Sequence, residues 1–296
     1  MTTGIFVGLS TIDLVYEVDQ FPAGDSKITA KSQNVFVGGP AANAAIAFRH
    51  LGGDATLVTA VGRHPLAAIV REDLSRYKVA LIDLTPGSED VPAISSVAVD
   101  PAGRRNVISP NASRVSVPPV QVDPELLARA SVLMVDGHAM QACQAWARAA
   151  RHSGIRVVLD GGSWKEGMDT LLDFVDSALC SADFRVPNRL HRDQAIDFLN
   201  THGVREIACT GGSGPIRWST ACGSGLIPVP QVPVVDTTGA GDILHGAFCW
   251  YTTQGPSFPE SLRRAAAIAS DSCRFQGTRA WMTTHSPPGG AANPAE

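Results

Sequence analysis

The sequence predicts an α/β fold of three layers, a mainly parallel sheet covered by helices on both faces, with a small β-sheet lid. Three observations predict it. From Val132 onward, short apolar runs alternate with helix-period stretches joined by short connections, as in a parallel sheet with helical crossovers. Residues 14–37 and 92–109 instead alternate apolar and polar side chains around turn residues, as hairpins do. Residues 234–251, Val-Val-Asp-Thr-Thr-Gly-Ala-Gly-Asp-Ile-Leu-His-Gly-Ala-Phe-Cys-Trp-Tyr, read as a strand, a tight glycine turn and the start of a buried helix.

The chain of 296 residues, 44% hydrophobic and 18% charged, can bury one large core, expected over residues 1–282. Residues 283–296, rich in Pro, Gly and Ala, are expected to form a disordered tail. A net charge of -4 leaves no basic footprint for nucleic acid. No apolar run approaches the roughly 20 residues of a membrane span, and the start lacks the basic segment of a secretory leader. The six cysteines are scattered without a C-x-x-C spacing, which reads as reduced thiols in a cytoplasmic protein.

In chain order, Ile5–Leu9 reads as a buried first strand, with Asp13 just past its carboxyl end, where open α/β sheets bind ligands. Position alone favours a plain loop acid there. Pro22, Gly24 and Asp25 mark the turn of the first hairpin, and Lys27 follows. Gly38-Gly39-Pro40-Ala41-Ala42-Asn43 opens a helix whose apolar face is Ala44, Ala47, Phe48 and Leu51. The glycine pair admits a ligand and Asn43 offers a donor and an acceptor, although a small-residue packing helix accounts for the same residues. Ala55–Val61, Leu66–Tyr77 and Ala80–Leu84 follow as strand, helix and strand. The second hairpin pairs Ala93–Val99 with Asn106–Ile108 around Asp100-Pro101-Ala102-Gly103, and Arg105 leaves its turn.

Beyond it, strands at Val132–Val135, Ile155–Leu159, Ala178–Cys180 and Glu206–Thr210 alternate with helices at Ala139–His152, Leu171–Val175 and Leu190–His202. Asp136 and Asp160 stand at two strand ends, and the neighbouring His138 reads as a local polar contact. Thr210-Gly211-Gly212-Ser213-Gly214 turns into a strand at Ile216–Ser219; Leu262–Phe275 is the last helix, ended by Gly277.

The chemistry concentrates in 234–251. A glycine turn at a helix start points backbone N–H groups outward, and the helix dipole adds a positive field that suits a phosphate. Asp242 stands at the edge of that anion site. A carboxylate there would repel phosphate, but it can take a proton from an attacking hydroxyl. It can equally be a first-turn acid that complements the dipole, and spacing alone leaves the two readings level.

Asp236-Thr-Thr-Gly-Ala-Gly-Asp242 followed by His245-Gly-Ala-Phe248 resembles the C-terminal signature of the pfkB, or ribokinase-like, sugar kinases. Gly38, Gly39 and Asn43 match that family's N-terminal signature, and the resemblance spans about residues 4–282. It implies a Rossmann-like three-layer sheet with a β lid, and transfer of the γ-phosphoryl group of ATP to a primary hydroxyl of a ketose- or ribose-like sugar. It also implies a homodimer joined through the lid. By the same resemblance Asp242 is the base, and Gly239, Ala240 and Gly241 stabilise the transferring phosphoryl group. Asp13, Gly38, Gly39 and Asn43 would bind the sugar, and Thr210, Gly212, Gly214, Thr238 and Gly277 would bind ATP.

Within the family the chain looks closest to ketohexokinase and sulfofructose kinase. Arg105, Lys27, Asp25 and His138 fall at substrate positions of one or the other, with Asp25 matching an acid that reaches the partner's sugar. Neither set is complete: Pro40 replaces a sugar-binding Asn, and His138 replaces an Arg. Ser181-Ala182-Asp183-Phe184 stands where many members carry Asn-x-x-Glu. Mg2+ is therefore expected to be held mostly by nucleotide phosphates and water, with Asp183 as an outer candidate. A monovalent cation such as K+ near Asp236 and Thr238 stays undecided. The rivals are a nucleoside or phosphosugar kinase, and a non-catalytic sugar-binding regulator on the same fold. A dinucleotide-dependent dehydrogenase is disfavoured, because no G-x-G-x-x-G follows the first strand.

Overall fold

The computed structural model describes residues 2–110, 117–187 and 192–284. Along the chain come β1 (Thr3–Val7), β2 (Thr11–Glu17), β3 (Ser32–Gly38), α1 (Pro40–His50), β4 (Asp54–Thr59), α2 (Ala67–Arg76) and β5 (Ala80–Asp83). They are followed by β6 (Ile94–Val99), β7 (Arg105–Ile108), α3 (Pro124–Arg129), β8 (Val132–Val135), α4 (Met140–His152), β9 (Arg156–Gly161) and α5 (Met168–Leu172). The last part holds β10 (Ser177–Cys180), α6 (Arg192–Thr201), β11 (Glu206–Gly211), β12 (Gly214–Thr220), β13 (Gly223–Ile227), α7 (Ala240–Thr252) and α8 (Phe258–Ser272). A 3-10 turn at Ala280–Thr283 closes the described chain.

Among the described residues, the main sheet runs in the order β13-β12-β11-β10-β9-β8-β1-β4-β5. Every pair from β11 to β5 is parallel; β12 and β13 add an antiparallel edge. Successive side chains of a strand point to opposite faces, and both faces are covered here. Phe6 enters the core beneath α1, α2, α7 and α8, whereas Ile5 and Val7 enter the core beneath α4, α5 and α6. The chain leaves β1 toward β4 and β5, then returns to β8 on the other side of β1. The strand order reverses there, and the carboxyl ends on either side of such a reversal form a crevice for ligands.

Two packing features fix that crevice. Phe48 is fully buried, its ring 5.3 Å from Phe6 and 5.8 Å from Trp250, so it joins α1 to β1 and α7. A side chain at Gly246 would lie 2.3 Å from Ala44 O, so the glycine lets α7 rest directly against α1. The two sequence signatures, one at the start of each helix, are thereby brought side by side.

The lid is a separate sheet in the order β3-β2-β6-β7. It starts at Thr11, three residues before the expected 14, because only Gly8–Ser10 separate β2 from β1. Asp13 therefore lies within a lid strand, paired with Phe36 and Ser95, and not in a loop. Val234 and Val235, expected to be a strand, are in a loop and 64% and 63% exposed. Pro230 and Pro233 precede that stretch, and the edge of the sheet is already taken by β13, which the sequence reading missed along with α3. α8 starts at Phe258, four residues before the expected Leu262, with Pro in its first turn. Of the expected tail, Thr283 belongs to the 3-10 turn, and residues 285–296 lie outside the described residues.

Candidate active site

Two glycines with positive φ set the helix starts that meet in the crevice. Gly39 precedes α1 at φ 96°, and Gly239 precedes α7 at φ 68°, a region that side chains rarely occupy. Ala240 opens α7 immediately after the turn, so the first-turn amides face outward with the positive end of the dipole. Ala240 N donates to Thr237 O at 3.3 Å within the turn. Gly241 and Asp242 precede the first intrahelical donor, Ile243 N to Gly239 O at 2.8 Å.

Asp242 stands half-buried in this first turn, and its Oδ2 accepts a hydrogen bond from Asn43 Nδ2 at 2.7 Å. Burial pushes its carboxyl up to about 7; the charge of Asp160 acts the same way, while Asn43 and His245 oppose it. A base that titrates near neutrality is matched to proton transfer at that pH. His245, one helical turn on, lies with Nδ1 3.5 Å from Asp160 Oδ2 and Nε2 3.1 Å from Leu179 O. Burial also raises Asp160.

Asp136, at the end of β8, does a different job. Its Oδ2 accepts from Leu9 N at 2.8 Å and Ala41 N at 3.2 Å, and its Oδ1 from His138 N at 2.8 Å. Burial pushes this carboxyl up, but the His138 ring and these amides outweigh it and hold it below the usual range. It ties the β1–β2 link, the start of α1 and the end of β8 into one rim.

Asp13 is half-buried on β2, and its Oδ1 accepts from Thr11 Oγ1 at 2.8 Å. Burial raises its carboxyl against the opposing Thr11 and Ser95 hydroxyls and the Arg279 cation. A Cβ at residue 38 would lie 1.9 Å from Asp13 Oδ2, so Gly38 leaves room for that carboxylate.

Three clefts adjoin these groups. One of about 390 Å³ lies over the start of α7, lined by Thr210, Gly212, Ala240, Gly241 and Cys273. A second, about 620 Å³, separates the lid from the turn before α7 and touches Asp13, Phe36, Thr238 and Gly277. The third, about 490 Å³, lies at the carboxyl ends of β1 and β4, beside Ser10, Thr59 and His138. Arg105 borders the first two; its guanidinium donates to Thr237 Oγ1 at 2.9 Å and Thr238 Oγ1 at 3.2 Å. The lid arginine thus reaches the turn before Gly239 and not Asp13.

Other sequence candidates fall elsewhere. Gly214 pairs with Gly211 in the β11–β12 turn and borders none of the clefts. Asp25, at φ 53°, and Lys27 are exposed in the lid turn and border none of them either. Asp183 is exposed, and among the described residues no group of three or more His, Cys, Asp or Glu is arranged to hold a metal. Asp236 Oδ1 accepts from Thr238 N at 2.8 Å and Oδ2 from Gly277 N at 2.9 Å, which ties the turn before α7 to the segment after α8. The sequence reading missed Arg279, whose Nη1 donates to Asn43 Oδ1 at 2.8 Å; its partners are too distant in the chain for any spacing to reveal it.

A family model for pfkB family carbohydrate kinases matches residues 1–285. The chain is 28% identical over 247 residues to an ATP-dependent ribose-1-phosphate kinase of Halopiger xanaduensis, covering 81% of this chain and 82% of that one. It is 20% identical over 288 residues to a ribokinase of Haemophilus influenzae, covering 94% of each. Its structure resembles Thermotoga maritima ribokinase with a TM-score of 0.78 at 19% identity, covering 95% of each chain. Arabidopsis thaliana ribokinase, solved with ribose and ATP, gives a TM-score of 0.74 at 22% identity over 93% of each chain. At these identities the structural likeness establishes the fold, and the family match establishes the enzyme class. The chain belongs to the pfkB family of carbohydrate kinases and is an ATP-dependent sugar kinase.

Proposed function

We propose that the acceptor is a primary hydroxyl of a ribose-like or ketose sugar, and that Asp242 takes its proton. The observation that carries this reading is a carboxylate tuned to about 7 in the first turn of α7, hydrogen-bonded to Asn43 from the other signature. Asp13, Gly38 and Gly39 hold the acceptor, assisted by the second N–H of Asn43. The first-turn amides of α7 face the charge that develops on the phosphoryl group. ATP occupies the cleft of Thr210, Gly212 and Gly241, with its phosphates toward that turn. Mg2+ supplies charge neutralisation of the phosphates and is held mainly by them and by water. Lid closure over the second cleft keeps water from the phosphoryl group.

A phosphorylated pentose is the second reading, favoured by the likeness to the ribose-1-phosphate kinase and by Arg105 at the edge of the lid cleft. The test is ADP release with Mg-ATP and each of ribose, deoxyribose, fructose, sulfofructose, ribose-1-phosphate and nucleosides. Turnover only with ribose-1-phosphate or a nucleoside would replace the neutral-sugar reading. No acceptor-dependent turnover would favour a binding regulator. Repeating the active pair in KCl and in tetramethylammonium chloride tests for a monovalent cation near Asp236 and Thr238.

The homodimer through the lid belongs to the same proposal. Val35 and Ile108 share the lid face opposite Asp13 and are 49% and 73% exposed. Pairing with a second lid would cover them. Asp25 and Lys27 are exposed and border none of the three clefts described above, which fits a role across a dimer. An Asp25→Ala, Lys27→Ala variant mixed with an Asp242→Asn variant is expected to regain part of the lost activity. Mixtures with proven subunit exchange but no recovery would mean that each lid serves its own chain.

A further inference from the structure

We propose that Arg279 is a positioning residue for the base: it locks the Asn43 amide so that Nδ2 donates to Asp242, without itself touching the acceptor. This rests on the reading of Asp242 as the base. Asn43 is the fourth residue of α1 and only 4% exposed, an unfavourable place for a polar amide unless both of its ends are satisfied. Both are. Nδ2 reaches Asp242 Oδ2 at 2.7 Å, and Oδ1 accepts from Arg279 Nη1 at 2.8 Å. Flipping the amide would set its oxygen against a carboxylate and its NH2 against a guanidinium, so the two charges define a single orientation.

Arg279 is held as firmly as the amide it holds. Nη1 also donates to Thr278 Oγ1 at 2.7 Å, and Nη2 donates to Val37 O at 3.0 Å and Asp73 Oδ2 at 3.1 Å. The guanidinium carbon lies 5.4 Å from the centre of the Tyr77 ring. Asp73 and Tyr77 come from α2 and the residue after it, Val37 from β3, and Asn43 from α1. A planar fork with several fixed donors suits this four-way junction; a lysine ammonium cannot span it. The chain of contacts Asp73–Arg279–Asn43–Asp242 thus carries the order of the lid-side elements to the base.

Removing the guanidinium frees the amide to turn, and Asp242 then loses a donor that favours its charged form. The ionisable groups that face Asp242 are Asp160 at the end of β9, Asp136 at the end of β8 and His245 on α7. None of these is altered by a change at 279, and lysine keeps the positive charge there, so in Arg279→Lys the shift has one source and a definite sign: the carboxyl moves further up.

The experiment compares wild type, Arg279→Lys, Arg279→Ala, Asn43→Ala and the Arg279→Ala, Asn43→Ala double variant. In Arg279→Lys, KM for ATP should hold while kcat at pH 7 falls about tenfold. The acid limb of kcat/KM should rise by about one pH unit, the loss of one charge-assisted hydrogen bond. In the Asn43→Ala background, the Arg279→Ala change should remove no further kcat. Wild-type kcat and an unmoved acid limb in Arg279→Lys, or additive losses in the double variant, would overturn the proposal. A second readout does not need turnover. Stability should fall as pH rises until Asp242 has ionised, near 7 in wild type and about one unit higher in Arg279→Lys. An unchanged profile would sink the positioning role even if the acceptor reading failed, whereas a wild type without acceptor-dependent ADP release would sink only that reading.

Discussion

An Asp242→Asn protein is expected to lose about 10²–10⁴-fold in kcat while it still binds ATP. The substitution keeps the shape of the side chain and removes the proton acceptor. An amide at 242 can still turn its oxygen to Asn43 Nδ2, so the 2.7 Å contact between the two signatures has a replacement. The same change should stabilise the fold above neutral pH. Burial raises the Asp242 carboxyl to about 7, above the 3.8 usual for an aspartate in an unfolded chain, so its ionisation opposes folding. For a raised acid, stability declines as pH climbs from the unfolded value through the folded one. The variant escapes that decline and should gain on the order of 1–3 kcal/mol at pH 8, discounted for the partial exposure of the site. The gain should fade toward pH 4. Urea unfolding at both pH values, beside steady-state kinetics, checks the two halves together. Near-normal turnover, or equal stability of the two proteins at pH 8, would remove Asp242 from the role of a buried, tuned base.

What could be read from the sequence was local. The turn from Asp236 to Asp242 and the start of α1 at Gly38–Asn43 each hold their meaning within a few residues, so motif and helix signals agreed there. The buried parallel strands were equally legible, because runs such as Val132–Val135 need no partner to be recognised as apolar on both faces. Properties set by distant neighbours were not legible. Val234 and Val235 have strand-like side chains, yet strand formation needs a free sheet edge, and β13 occupies it. Asp13 looked like a loop acid because nothing local shows that β2 turns into a second sheet after three residues. Asn43 and Asp242 stand 199 residues apart and Arg279 and Asn43 are separated by 236, so no spacing rule could connect them. The two glycines of the turn were not separable either, since their difference lies in φ and in what surrounds each one.

That difference makes Gly241 and Gly239 opposite in behaviour. Gly241 sits in the first turn of α7 without positive φ, faces solvent in the cleft over that turn, and has nothing within 4 Å of an added Cβ. Valine there should fold normally, since a β-branched residue in a helix is a few tenths of a kcal/mol better than glycine. Its methyl groups would occupy the space next to the outward amides. Turnover should therefore drop by at least about 10²-fold, as a phosphoryl group can no longer reach the turn. ATP binding should weaken with it, while acceptor binding at Asp13 and Gly39 persists. Gly239→Ala should fail in another way. At φ 68°, with Thr278 Cγ2 2.5 Å from the new Cβ, it strains the turn and presses on the segment that carries Arg279. The expected loss is about 1–3 kcal/mol of stability. Urea unfolding and calorimetric titration with ATP separate the two variants. A Gly241→Val protein that binds ATP and turns over normally would mean that the outward amides of α7 do not meet the phosphoryl group.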